Sequence, residues 1–391
     1  MTELITDGVL RAVADDPVRH ETFLSAGTAQ SHAANLMPLP GGELGCAWFA
    51  GTQEGLSDIN VWFARLDDEG RWSEPVQVSA DPERSEQNPV LFPTPGGELW
   101  LLYTAQRSGD QDTAEVRQVV SCDGGRSWSA PRTLIPASDT AGVFVRQPVV
   151  VLDSGRWLLP VFHCVRPETG RWRGDEDTSA VFVSDDRGST WTHHEVPNST
   201  GCVHMNVVPL AEGGLLALFR RRQADAIFAS RSVDGVTWSE PEPTELPNNN
   251  SSIQVTALHD GRLALACNAS SAADATERRA SLYDEIDGDS IAEPGAAEPE
   301  QPAGTAFWGA PRAPLTVALS ADGGRTWPVR RDVEVGDGYC LTNNSRDGLN
   351  RELSYPSITQ TADGDLHIAF TYFRRAVKHV RVPPAWVADG S

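Results

Sequence analysis

The feature that most restricts this chain is a unit that recurs six times: a turn ending in glycine, followed at once by an apolar run. Its copies end at Leu44, Leu99, Trp157, Leu216, Leu263 and Leu366. Behind each lies a second run, at 59–66, 116–121, 179–184, 226–230, 315–320 and 376–382, alternating or continuously apolar as a strand requires. Each pair reads as a β-hairpin. Repeats that cannot bury their faces alone must stack on one another.

Four of the second runs lead into a turn of one design. Three are intact, carrying Asp123, Gly125 and Trp128, then Asp186, Gly188 and Trp191, then Asp322, Gly324 and Trp327. A shifted version holds Asp234, Gly235 and Trp238, and a worn one ends at Trp72. In such an Asp box the carboxylate accepts backbone N–H bonds, the glycine takes positive φ, and the indole covers the space between sheets. These aspartates are therefore structural, not catalytic. The pattern predicts an all-β fold, a six-bladed β-propeller with Asp-box turns, forming a single domain over 1–391. The last repeat lacks a box, so the segment around Phe23 and Ser25 is expected to supply its outer strand and close the ring.

Composition agrees. With 34 Gly and 27 Pro against 12 Phe and 5 Tyr, many short strands joined by tight turns are expected. The formal charge of -22 repels a phosphate backbone or an anionic membrane surface, which argues against nucleic-acid and membrane partners. No apolar run has the length of a signal peptide or a membrane span, so a cytoplasmic location is expected. The six cysteines stand singly, without a C-x-x-C pair, and read as thiols in a reducing compartment. No spacing suits zinc, so neither a metal nor a cofactor is expected.

Two stretches break the rhythm. Residues 284–305 are acidic and rich in Pro, Ala and Gly, which predicts a mobile loop. Residues 336–353 are polar, contain Arg351 and run into Tyr355, which suggests a lid.

A propeller binds ligands where its inner strands converge on the central channel. Polar residues beside those strands are the candidates: His32, Gln53, Glu54, Asp58, Asn88, Arg146, His204, Asn206, Arg220, Arg221, Arg222, Arg312 and Tyr355. Side chains alternate along a strand, so one or two of Arg220, Arg221 and Arg222 must face away from any pocket. Asp58 also suits an Asx-turn, and His32 and His204 also suit a hydrogen-bonded core. His193, His194 and His379 read as exposed or structural.

The stretches 31–34, 47–55, 88–92, 146–148, 247–251, 315–320 and 353–357 resemble the sialidase (neuraminidase) superfamily, most closely its bacterial Asp-box branch of predicted neuraminidases. The resemblance spans residues 31–382. It implies a clamp of three arginines for the substrate carboxylate, a tyrosine nucleophile activated by glutamate, and an aspartate as acid/base. Residue by residue, Asp58 stands where the acid/base would be and Tyr355 matches the nucleophile. Arg312 matches one clamp arginine, and Arg221 or its neighbours another. Two positions depart: His32 replaces the first clamp arginine, and the activating glutamate falls near His204 and Asn206.

The resemblance implies a sialidase-like glycoside hydrolase acting on a terminal acidic sugar. Asp58, Tyr355, His32 and His204 would be catalytic, and Arg312, Arg221, Arg220, Arg146, Glu54, Asn88 and Arg351 would bind substrate. Two alternatives stay open. Arginines could neutralise a uronate while His32 or His204 removes the α-proton, making the protein a lyase. The ring could also bind carbohydrate without turnover.

Overall fold

The computed structural model describes residues 4–279, 282, 304–342 and 347–390, and nearly all of their regular structure is β-strand. Six antiparallel sheets form the blades of a propeller. Blade 1 begins with strand Gln30–Pro38, blade 2 with Arg84–Pro93 and blade 3 with Ala141–Phe144. Blade 4 begins with Cys202–Pro209, blade 5 with Gln254–Ala257 and blade 6 with Leu353–Gln360. The first strands of blades 4, 5, 6, 1 and 2 touch in series, and blade 3 joins them through Ala141–Phe144 against the second and third strands of blade 2 and through Trp157–Val165 against Cys202–Pro209.

The expected hairpins are the second and third strands of each blade, as in Leu215–Arg221 with Ala226–Ser232. Ring closure is also as expected, through a longer segment than the sequence marked. Strand Asp16–Leu24 pairs antiparallel with Ala376–Val382, the third strand of blade 6, and Arg11–Val13 extends that sheet. A short C-terminal helix, Pro384–Ala388, donates a hydrogen bond from Trp386 Nε1 to Asp16 Oδ2 at 2.6 Å, tying the two ends of the chain.

The hydrophobic core is divided among the spaces between blades. One cluster joins Phe63 of blade 1 to Leu101 of blade 2, and another joins Trp100 of blade 2 to Trp157 of blade 3. The series ends with Leu36 of blade 1 against Ala369 of blade 6. The Asp boxes set this spacing. In the third, Asp322 Oδ1 accepts from the N–H groups of Arg325 and Thr326 at 3.0 and 2.9 Å, and Oδ2 from Thr326 Oγ1 at 2.7 Å. Gly188, at φ 81°, stands so near the preceding blade that a Cβ would meet the Trp100 ring at 2.5 Å. Only glycine fits there.

Of the two irregular stretches, 284–303 lies outside the described residues. Residues 336–342 and 347–352 run as loop, pinned where Arg312 N donates to Gly338 O at 2.8 Å and Arg351 N to Tyr339 O at 2.9 Å. Among the described residues no helix is long and apolar enough to cross a membrane.

Candidate functional site

The chain turns sharp corners at the channel, on the first strands of blades 1, 2, 4 and 6 and just before that of blade 5. Ala33, Asn88, His204, Asn250 and Tyr355 have φ of 59°, 50°, 55°, 55° and 52°, in the left-handed region that non-glycine residues seldom enter. Four of these corners coincide with breaks in register, as between Val203 and Asn206 or Ser354 and Ser357. A bulge adds a residue and re-aims its side chain. Each such corner costs about 1–3 kcal/mol of backbone strain, and hydrogen bonds to the next blade hold it. Two residues past a corner, Asn35 Oδ1 accepts from Leu91 N at 2.8 Å, Asn206 Oδ1 from Val255 N at 2.7 Å, and Ser357 Oγ from Leu36 N at 2.8 Å. Asn206 is thereby a brace between blades.

Tyr355 lies at the convergence. Its hydroxyl accepts from Arg220 Nη1 at 2.6 Å, and Arg220 Nε donates to Asn250 Oδ1 at 2.8 Å. The guanidinium carbons of Arg146, Arg220 and Arg312 stand 5.4, 5.6 and 5.6 Å from the phenol centroid. The rings of His32 and His204 flank it at 4.3 and 5.7 Å.

Five guanidiniums, of Arg146, Arg220, Arg222, Arg312 and Arg374, are buried around this phenol, against the three carboxylates of Glu54, Asp177 and Glu352. Asp177 Oδ2 accepts from Arg222 Nη2 at 2.6 Å, and Asp177 Oδ1 from Trp172 Nε1 at 2.8 Å. Glu352 Oε2 accepts from Arg312 Nη1 at 2.7 Å, while its Oε1 pairs with Arg374, which also pairs with Glu54 Oε2. Burial alone would raise the Glu352 pKa, but Arg374 and Arg312 outweigh it and keep the carboxylate ionised. Arg220 has no carboxylate among the described residues. Burial, reinforced by Arg222 and Arg312, draws its pKa down to about 9, so it remains a cation at neutral pH.

Both histidines are neutral. Burial, with the surrounding arginines, pushes His32 and His204 well below the usual imidazole range. His32 Nδ1 lies 2.7 Å from Thr371 Oγ1 and leaves Nε2 without a partner; His204 Nε2 lies 3.4 Å from Arg220 Nη1 and leaves Nδ1 without one.

The remaining sequence candidates separate. Glu54, Asn88, His204, Arg220 and Tyr355 line one cavity, and His32 and Arg312 stand directly behind it against Tyr355. Asp58 is set apart: it is exposed, and its Oδ2 accepts from Thr52 N at 3.1 Å, the turn role its residue type allows. Arg146 is fully buried, but its terminal nitrogens donate to the carbonyls of Ala34, Tyr355 and Pro356 at 3.0–3.2 Å, which makes it a bolt across the channel. Arg221 faces the other side of its strand, with its guanidinium 4.4 Å from the Phe228 ring. Arg351 is half-buried and pairs with Asp337 at 2.8 Å, outside the lining of the cavity. Gln53 does not line the cavity either.

Sequence reasoning missed Asp177, Asn250, Glu352 and Arg374, which hold the arginines, and the amides of Gln87 and Gln111, which form one wall. No motif marks them. Among the described residues no three His, Cys, Asp or Glu side chains converge as a metal site would require.

The cavity encloses about 10 Å³, room for a single water molecule. Phe144, Phe162 and Leu282 supply its apolar side. Above Arg222, Trp172 and Trp308 close a seam, with their ring centroids 5.3 and 5.2 Å from its guanidinium carbon. The two loop segments of that seam are stitched together: Trp308 Nε1 donates to Arg173 O at 3.0 Å and Ala306 N to Asp175 Oδ1 at 2.7 Å. None of the described residues of 336–353 lines this cavity.

Residues 42–368 match the family of BNR repeat-like domains. No curated protein matches this chain. Among solved structures, a Hadza microbial sialidase, 14% identical, superposes with a TM-score of 0.67 over 94% of this chain and 69% of that one. A leech intramolecular trans-sialidase, complexed with 2,7-anhydro-Neu5Ac, is also 14% identical, with a TM-score of 0.67 over 94% and 70% of the two chains. A protein of unknown function from Dyadobacter fermentans, 15% identical, reaches 0.63 over 97% and 98%. At these identities the likeness is one of fold.

Proposed function

This chain belongs to the family of BNR repeat-like domain proteins, and on that footing we propose that it is a sialidase-like carbohydrate-active enzyme acting on a terminal acidic sugar. The observation that carries this reading is Arg220. It is a buried cation with no carboxylate partner among the described residues, fixed by Asn250 and hydrogen-bonded to the Tyr355 hydroxyl in a site where the described guanidiniums outnumber the carboxylates. Burying unpaired positive charge is costly, and a ligand carboxylate would relieve it through charge-assisted hydrogen bonds. Arg220 then orients the acid group while Tyr355 meets the reacting end of the sugar. The leech relative, whose ligand is an anhydro sugar acid, supports an acidic sugar as the substrate class.

A second reading is elimination. Among the described residues His32 Nε2 has no partner, and in the tautomer whose Nδ1–H donates to Thr371 Oγ1 it is a nitrogen able to accept a proton from a carbon beside a carboxylate. One experiment separates the two. The protein is incubated with a chromogenic sialoside and with a uronate-terminated disaccharide, following dye release and the ultraviolet absorbance of an unsaturated uronate. Hydrolysis gives free sugar acid without that absorbance, and elimination gives the absorbance. Turnover of neither, with no binding of the free acids, would sink the proposal.

A further inference from the structure

Within the reading that this site turns over an acidic sugar, a carboxylate must handle the proton, and the sequence offers two in one loop: Glu54 and Asp58. The structure separates them. Asp58 points to solvent and caps Thr52 N. Glu54 is 4% exposed, its N–H is held by Gln30 Oε1 at 2.6 Å, and its side chain lines the cavity that also contains Tyr355 and Arg220. The loop itself is anchored to blade 2, where Gly109 N donates to Gly55 O at 3.1 Å.

The other buried carboxylates are committed on both oxygens. Asp177 serves Trp172 and Arg222, and Glu352 serves Arg374 and Arg312. Glu54 gives only Oε2, to Arg374. Among the described residues no hydrogen bond reaches its Oε1, and Glu54 is the one carboxylate that lines the cavity.

We propose that Glu54, rather than Asp58, is the proton-transfer residue of this site, with Arg374 as its positioning residue. In hydrolysis, a water oxygen bonds to the anomeric carbon as the bond from that carbon to the leaving oxygen breaks. Glu54 Oε1 takes one proton from the water. The Tyr355 hydroxyl gives its proton to the leaving oxygen, and the phenolate, beside Arg220, regains a proton from Glu54 through water when product departs. Atoms and charge balance, and no further reactant is needed.

The test compares Glu54→Gln, Glu54→Asp and Asp58→Asn on a chromogenic sialoside and a uronate-terminated disaccharide, with folding followed by circular dichroism. Glu54→Gln is expected to lower kcat by at least about a hundredfold with KM within about threefold, and Glu54→Asp to retain an intermediate rate. Formate is expected to restore part of the rate to Glu54→Ala, which a purely structural role would not allow. Arg374→Lys is expected to displace the acid limb of the pH–rate profile while leaving the fold intact. Turnover that persists in Glu54→Gln, or a larger loss in Asp58→Asn than in Glu54→Gln, overturns the assignment. Absence of turnover by the unaltered protein overturns the functional reading and this assignment with it.

Discussion

The Tyr355 hydroxyl and Arg220 Nη1 meet at 2.6 Å across 135 residues of chain, one from the first strand of blade 6 and the other from the second strand of blade 4. The pair therefore couples the group proposed to hold the ligand to the group proposed to meet it. Replacing Tyr355 by Phe removes the hydroxyl alone, and turnover is expected to fall at least about a hundredfold while affinity for a free sugar acid changes little. Steady-state kinetics and calorimetry on the same preparation check both halves.

Arg220→Met leaves volume but no charge. Affinity for a carboxylated ligand is expected to fall by about tenfold to a hundredfold, the span of one charge-assisted hydrogen bond, and an uncharged sugar should show no difference. Titration calorimetry with the acid and its amide makes the comparison.

The roof gives a kinetic prediction. Because the cavity holds no more than a water, its surroundings must move before a sugar enters, and the Trp172–Trp308 pair stacked against the lining residue Arg222 is the expected moving part. Trp308→Ala removes one side of it, and association of a sugar acid, followed by stopped-flow fluorescence, is expected to speed up on the order of tenfold.

Asp322→Ala breaks the box turn far from the channel. The loss of two backbone and two side-chain hydrogen bonds is expected to destabilise the fold by about 1–2 kcal/mol, read from urea unfolding, without altering ligand affinity.

Acid should weaken the ring before it affects the boxes. His367 Nδ1 lies 2.9 Å from His379 Nε2, and Trp72 Nε1 donates to His379 Nδ1 at 3.1 Å. Burial, then Arg381, draws His367 down to about 4, and burial lowers His379 as well. The unfolded chain binds these protons more readily, so stability is full above the ordinary histidine pKa near ~6.5 and is lost as pH falls from there towards 4. The melting temperature is expected to drop by several degrees between pH 7 and pH 5, and His367→Gln should flatten that slope.

How much was legible depended on distance along the chain. The box turns are local, with Asp322 bonding residues three and four positions on, so their pattern survives in the sequence and the six-bladed ring followed from it. Strand alternation was legible too: of the three consecutive arginines, Arg220 and Arg222 face the cavity and Arg221 does not. The partners of those arginines were not. Arg374 sits at a hairpin end and reaches Glu54 across 320 residues, and Asp177 reaches Arg222 across 45, through contacts that no local pattern encodes. Glu54 and Asp58 share one loop, and only its three-dimensional course decides which of them turns inward.

The left-handed corners on the first strands have a consequence for how such a molecule can change. Each corner belongs to a different blade, and those at Ala33, His204 and Tyr355 are braced by the side chain two residues on, independently of the identity of the corner residue. Exchanging the side chain at such a corner, as at His204, would thus alter the reagent without disturbing its mounting. The ring behaves as a rack of separately replaceable tools, and its chemistry is free to drift one position at a time while the architecture stays put.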